Sequence, residues 1–307
     1  MKKVVVVGCG NVGMAYVNNL INTSGLVNEI VLIDINRDKI LGEAMDLSHA
    51  SVVFNSNIKI TAGSYKDCFN ADIVAIAAGL NQEKGETRLQ LIKRNKNIIE
   101  SIVSEVMASG FNGIFLVATN PVDIMSYIVK EKSGLPVNRV IGTGTLLDTE
   151  RLKFLLSQKI KINTENIHAY VVGEHGDSSF VVWSKSTVGM VPILNTVAKE
   201  DLEAIETEVR QLAYKIISYK DYTSYGVAMC MLKITKAILN NQNLVLNVSS
   251  FVDGIYIGMP SVIGKDGVKG TMKINFTEEE SEKFEKSRKV IKDAIDSLEE
   301  KKYDDRY

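Results

Sequence analysis

The chain predicts an α/β protein: a parallel sheet covered by helices on both faces, followed by an α+β second half. Three observations carry this. Through the first half of the 307 residues, apolar runs of strand length alternate with helical stretches. That pattern belongs to a parallel sheet buried on both sides. The turn Gly8-Cys9-Gly10-Asn11-Val12-Gly13 closes the first run and opens the first helical stretch. Beyond Thr149 the regular alternation lapses into helices mixed with short strands.

Each element follows in order. Val4–Val7 is the first strand, and Asn11–Ile21 spaces Val12, Tyr16, Val17 and Leu20 as a helix does. Ile30–Ile33 is a second strand, followed by a helix from Arg37 to Leu47. Ile58–Thr61, Ile73–Ala78 and Ile114–Ala118 are further strands, the last two separated by an amphipathic helix over Arg88–Ala108. In the second half, Thr149–Leu156, Leu202–Lys215 and Val227–Leu239 read as helices. Ile167–Val172, Ser179–Ser186, Leu244–Val248, Ile255–Ile257 and Met272–Ile274 read as strands. Glu278–Glu300 closes as a charged helix with Phe284, Val290, Ile291, Ile295 and Leu298 on its apolar side. The expected domains are 1–145 and 146–307, tightly packed, since no linker, repeat or low-complexity stretch intervenes.

Composition narrows the function. A formal net charge of −1 gives no electrostatic case for nucleic acid or an anionic membrane. The apolar runs are too short to span a bilayer. Lys2-Lys3 before Val4–Val7 is not read as a signal peptide, because Gly8 and the polar Asn11, Asn18 and Asn19 break the stretch. Cys9, Cys68 and Cys230 are few, scattered and odd in number, as small core thiols of a reducing compartment would be. A cytoplasmic location is the expectation. No Cys/His cluster has metal-ligand spacing, so no metal is expected.

Gly8, Gly10 and Gly13 form a G-x-G-x-x-G in the strand–turn–helix context that a dinucleotide pyrophosphate requires. The free N–H groups of Asn11 and Val12 lie at the helix start, where they would hold it. Asp34 closes the second strand, about twenty residues further on, where a carboxylate bonds ribose hydroxyls and disfavours a 2′-phosphate. The first half is thus read as a Rossmann-type domain binding NAD. Gly79 and Asn120-Pro121 end later strands on the same expected sheet edge, where ligands of open α/β sheets bind.

The chemistry is read from three stretches. In Gly173-Glu-His-Gly-Asp177, an apolar run delivers His175 between glycines, and an imidazole both gives and takes a proton near neutrality. Taken alone it reads sooner as a satisfied loop histidine, and it is the company elsewhere in the chain that favours the chemical reading. Asp148 and Arg151 lie three apart at a helix start, hence on one face. Taken alone they read equally well as a local capping pair. As functional groups, Asp148 would orient the imidazole and Arg151 would grip a substrate carboxylate in a bidentate fork. Finally, Ala78 to Arg88 is polar and glycine-flanked, as a lid would be. Arg88 would then polarise a carbonyl. By itself the stretch reads sooner as a solvated connection than as a lid.

These motifs, with Ala118-Thr-Asn-Pro121 and Gly142-Thr-Gly-Thr-Leu-Leu-Asp-Thr-Glu-Arg151, make the chain resemble the lactate/malate dehydrogenase family of NAD-dependent L-2-hydroxy-acid dehydrogenases. It is most similar to that family's bacterial L-lactate branch, and the match covers nearly the whole chain. The resemblance implies that His175 is the proton donor and acceptor, oriented by Asp148. It implies that Arg151 holds the substrate carboxylate, Arg88 polarises the carbonyl, and Asn120, before a cis-proline, sits near nicotinamide and substrate. Thr223 matches a pocket threonine. It further implies a small 2-keto or 2-hydroxy acid substrate and a homotetramer, in glycolysis and fermentation.

Gln82 stands six before the lid arginine, where the malate branch of the family has an arginine and the lactate branch a glutamine. A neutral amide leaves oxaloacetate's second carboxylate unpaired, so pyruvate and lactate are preferred. Two features keep larger 2-keto acids open. Leu246–Gly258 is short for the family, and Tyr222–Ala228 resembles the stretch in L-2-hydroxyisocaproate dehydrogenases. A malate dehydrogenase, or a dinucleotide-binding sensor without catalysis, are further alternatives. His168 matches the histidine of a sugar-bisphosphate activation site in some relatives, but Lys153 stands where they have arginine. Lysine lacks the bidentate phosphate grip, so weak or absent activation is expected. His49 is read as structural, at a helix end.

Overall fold

The computed structural model describes residues 1–53, 56–80 and 88–299. Its frame is one nine-stranded sheet in which Gly267–Thr271, Ile255–Gly264, Leu244–Val252, Val140–Gly142, Ile114–Val117, Ile73–Ile76, Lys3–Val7, Glu29–Ile33 and Lys59–Ala62 lie side by side in that order. The strands β1 (Lys3–Val7), β2 (Glu29–Ile33), β3 (Lys59–Ala62), β4 (Ile73–Ile76), β5 (Ile114–Val117) and β6 (Val140–Gly142) are parallel. Their order reverses between β1 and β4, which opens the crevice where a dinucleotide lies in such sheets. Val4–Val7 and Ile73–Ile76 are fully buried, as unbroken apolar runs in a two-sided sheet must be. Helices α1 (Asn11–Ile21), α2 (Arg37–Val53), α3 (Arg88–Ala108) and α4 (Val122–Ser133) make the crossovers.

The second half extends this sheet. β12 (Leu244–Val252) pairs with β13 (Ile255–Gly264) along its whole length and touches β6 through Ser249 opposite Gly142. β13 then pairs with β14 (Gly267–Thr271). Helices α5 (Leu146–Ile160), α6 (Lys199–Lys220), α7 (Tyr225–Leu239) and α8 (Glu278–Glu299) pack around short strands. The sheet is therefore mixed, with an antiparallel hairpin continuing the parallel Rossmann-type part.

Several expected strands differ. Leu244–Val248 and Ile255–Ile257 are parts of one long hairpin, closed by Asp253-Gly254 with φ +46° and +91°. Two residues at positive φ make the turn type that Asp-Gly favours, so Leu246–Gly258 is short because it contains no loop beyond this turn. Ile167–Val172 breaks into β7 (Ile167–His168) and β8 (Val171–Val172), which join different sheets. Ser179–Ser186 keeps only β9 (Phe180–Val181) before a short 3-10 turn, and Met272–Ile274 is irregular because the edge strand lies just before it. The helix after β2 runs on to Val53, which puts His49 on an exposed turn within it rather than at its end.

Candidate active site

The nucleotide turn is built by its glycines. Gly8 has φ +94°, and a Cβ there would stand 2.3 Å from the Ala78 nitrogen. A Cβ on Gly13 would stand 2.0 Å from the Gly8 carbonyl oxygen, so α1 rests directly on the turn. Gly10, by contrast, faces open space. The three positions match the tight turn, the helix packing and the close pyrophosphate approach that the motif needs. Asp34 accepts the Cys9 N–H at 2.8 Å and the Asn36 N–H at 3.0 Å, which sets its carboxylate beside the turn. The residues fit NAD: an open cradle at a helix N-terminus, with a carboxylate beside it.

The adjoining strand ends are tied together. Asn95 of α3, 1% exposed, accepts the Leu80 N–H at 2.8 Å and donates to the Asn120 carbonyl at 2.9 Å. The Asn120-Pro121 bond is cis, and Asn120 itself is exposed at the β5 end. A Cβ on Gly79 would meet Thr119 at 2.5 Å, so these two strand ends also touch.

The His175–Asp148 pair lies at the junction of β8 and α5. Gly173, at φ +98°, exchanges two 2.9 Å hydrogen bonds with Gly258 of β13 and so aims the following loop. The Val171 carbonyl accepts from Thr145 Oγ1 at 2.7 Å and Asn247 Nδ2 at 2.8 Å, while Thr149 Oγ1 accepts the Val171 N–H at 3.1 Å. The start of α5 is thereby fixed against β8. His175 Nδ1 lies 2.6 Å from Asp148 Oδ2, and Arg151 Nη1 lies 3.2 Å from Asp148 Oδ1. The His175 side chain is about a quarter exposed, at 25%, while Asp148 and Arg151 are nearly covered.

Electrostatics favour an ion pair. Burial works against a charged His175 ring, but the Asp148 charge and hydrogen bond outweigh it and hold the pKa above the ordinary histidine value. Burial likewise pushes the Asp148 carboxyl up, and the imidazole and Arg151 overcome this, leaving it below the usual range. Such a pair stores a proton on Nε2 while Asp148 fixes the ring's orientation.

Sequence reading missed three residues here. Asn95 has no motif around it. Asp123 of α4 and Ser249 of β12 reach the loop of His175 only through the fold: Asp123 Oδ2 accepts the His175 N–H at 2.7 Å, and Oδ1 accepts from Ser249 Oγ at 2.6 Å. An acid in a first helical turn reads as a dipole complement, so the sequence carries no signal for its second role.

Other expected site residues are placed apart or lie beyond description. Gln82 and the Arg88 side chain, with most of the lid stretch, are outside the described residues. Thr223 is half-buried just before α7. Lys153 of α5 has its ammonium 5.9 Å from the Tyr170 ring centroid, and His168 is exposed on β7, opposite Thr187. Among the described residues no acidic, His and Cys cluster could hold a metal. A surface hollow of about 940 Å³ on α6 contains none of these residues, and its Glu200, Glu203 and Glu208 would repel an anionic acid.

An open sheet with a glycine-built cradle at its switch point and a carboxylate-paired imidazole in the adjoining half is the arrangement of a nicotinamide-dependent dehydrogenase. Residues 2–142 match the lactate/malate dehydrogenase NAD binding domain, and residues 145–302 match the lactate/malate dehydrogenase alpha/beta C-terminal domain. The chain belongs to the lactate/malate dehydrogenase family. It is 46% identical to an L-lactate dehydrogenase of Geobacillus sp. (strain WCH70) over 307 aligned positions, 96% of each chain. It is 45% identical to an L-lactate dehydrogenase of Lactococcus lactis subsp. cremoris, over 97% of this chain and 98% of that one. A solved lactate dehydrogenase from a Medee basin deep-sea metagenome library superposes with a TM-score of 0.94 at 46% identity, covering 97% of this chain and 99% of the other.

Proposed function

We propose that the protein is an L-lactate dehydrogenase that reversibly reduces pyruvate to L-lactate with NADH. The observation that carries this is the His175–Asp148 contact of 2.6 Å with Arg151 beside it. The Gly8–Gly13 turn, with Asn11 and Val12, holds the pyrophosphate; Asp34 takes the ribose; Gly79 and Asn120 flank the nicotinamide. When bound, the nicotinamide supplies or accepts the hydride. Arg151 anchors the substrate carboxylate, for which it must share its guanidinium with Asp148. Protonated His175 gives its proton to the carbonyl oxygen in reduction, and neutral His175 takes it back in oxidation, with Asp148 keeping the ring oriented in both directions. Arg88 stabilises charge on that oxygen, Gln82 reads the substrate's far end, and Thr223 lines the substrate pocket.

We take residues 1–145 as the NAD-binding domain and 146–307 as the substrate domain. We also assign a cytoplasmic, fermentative role downstream of glycolysis and a homotetramer. Three buried free thiols support the reducing compartment. Exposed Leu41, Met45, Val52 and Val53 on α2, with Tyr225 and Met229 on α7, support assembly. No helix among the described residues is long and apolar enough to cross a membrane. Sugar-bisphosphate activation through Lys153 and His168 is expected to be weak.

The test follows NADH absorbance with pyruvate, 2-ketoisocaproate and oxaloacetate. Pyruvate should turn over with the highest kcat/KM. Preference for 2-ketoisocaproate would move the assignment to a larger 2-hydroxy acid, and preference for oxaloacetate would end the role given to Gln82. Gln82→Arg should shift the ratio toward oxaloacetate by ten-fold or more, since it supplies the missing counter-charge, a change of about 1.4 kcal/mol or greater.

A further inference from the structure

We propose that Asp123 is a positioning residue for His175: its buried carboxylate fastens the backbone of the catalytic loop and sets a second negative charge against the imidazole. The proposal rests on the acid–base role given to His175 above.

The geometry is specific. Asp123 is 2% exposed and sits in the first turn of α4, immediately after the cis Asn120-Pro121 bond. Both of its oxygens are engaged, one by the His175 N–H at 2.7 Å and the other by the Ser249 hydroxyl at 2.6 Å. One side chain thus joins the helix that follows Asn120, the β12 strand that meets β6 at Gly142, and the loop that carries the imidazole. A movement of the Asn120 strand end would be passed to His175 through this carboxylate.

A neutral side chain would serve if anchoring were the whole role. An asparagine would offer an oxygen to the His175 N–H and an amide to Ser249. What the carboxylate adds is charge, and among the described residues the cation that bears most on it is the His175 imidazolium. Among the described residues, the charges that bear most on the imidazole are Asp148 and Arg151 from α5 and Asp123 from α4. Glu174, buried in the same loop, faces Asp123. Its own backbone N–H is held by Ser287 of α8 at 2.6 Å. Asp123 therefore offsets part of the effect of Arg151, and it does so without competing for Nδ1, which Asp148 occupies.

The test reads the imidazole directly. The chain has three histidines, so isotope-labelled histidine spectra, assigned with His175→Asn, resolve the His175 titration in the full-length enzyme with and without NADH. Asp123→Asn should lower the His175 titration midpoint by about one pH unit, the order expected of a charge acting through a protein interior. The basic limb of kcat/KM for pyruvate should move with it, while NADH affinity stays within two-fold. Ser249→Ala, which frees one oxygen but keeps the charge, should lower kcat and move the midpoint less than half as far. It also serves if the Asp123 variant does not fold. A His175 midpoint unmoved in Asp123→Asn, or parental kcat and midpoint in Ser249→Ala, would overturn the proposal. Because the titration is read without turnover, failure of the lactate assignment leaves this result standing on its own.

Discussion

At the residue scale, the roles proposed for His175, Asp148 and Asp123 predict the pH behaviour. Reduction needs the ring protonated, and its pKa lies above the ordinary value. Pyruvate reduction should therefore hold through neutrality and fall only as pH rises past the raised value, while lactate oxidation rises over the same interval. Asp148→Asn removes the larger raising influence, so the reduction limb should move to lower pH; a limb that stays in place would refute the ion pair. His175→Asn should cost about 10²–10⁴-fold in kcat with NADH binding retained, which stopped-flow turnover and fluorescence titration would check. Asp123 carries an opposite sign in stability. Burial, only partly offset by Ser249, the His175 N–H and the imidazole charge, raises its carboxyl from 3.8 to about 6. A raised acid contributes stability that is full below the unfolded value and lost as pH rises through about 6. The charged form costs the fold at most roughly 3 kcal/mol at neutral pH. Asp123→Asn should then melt no lower than the parent at pH 7.5, and lose any advantage near pH 4. A clear drop in melting temperature at pH 7.5 would show that the charge serves the fold.

At the scale of elements, the β1–α1 turn separates binding from stability. Gly10 faces open space, whereas Gly13 has the Gly8 carbonyl in the place a Cβ would occupy. Gly10→Ala should leave the melting temperature of the free protein unchanged and weaken NADH binding by roughly ten- to a hundred-fold, the effect of 1–3 kcal/mol of crowding. Gly13→Ala should lower both. Equal effects of the two changes on the free protein would contradict this division. Elements of this kind were legible in the sequence because their signals are local. The Arg88–Ala108 helix matches its periodicity end to end, and the glycine turn states its context. Illegible elements depended on partners. The apolar run Ile167–Val172 reports burial but not that it feeds two sheets. β14, Gly-Val-Lys-Gly-Thr, has a composition poor for strands and exists because β13 offers it an edge. β6 is three residues long and needs β5 beside it. The site divides the same way: His175, Asp148 and Arg151 sit in motifs, while Asp123 and Ser249 reach the His175 loop, and Asn95 reaches Leu80 and Asn120, only through the folded sheet.

At the scale of the molecule, the two family-matching halves share their interior. One core joins Val5, Val7 and Val74 to Val172, Phe180, Tyr256 and Ile291. A second joins Val4, Leu20 and Ile30 to Met231, Ile234 and Val248. The Tyr16 hydroxyl lies 2.6 Å from Thr235 Oγ1 in a fully buried contact between α1 and α7. Neither half could keep these surfaces dry alone, so unfolding should be a single transition despite two domains. The lone tryptophan tests this stringently. Trp183 packs on a third core made wholly of second-half residues, and its indole donates to Glu206 at 2.8 Å. Its fluorescence should lose native character at the same denaturant midpoint as the far-ultraviolet signal of the whole chain. NAD at a hundred times its dissociation constant should raise both midpoints together, by the equivalent of about 2.7 kcal/mol. The proposed site for the ligand's adenosine half is at β1 and β2, so a shift at Trp183 measures coupling through the shared cores. Two separate transitions, with NAD moving only the first, would show that the halves fold as independent units.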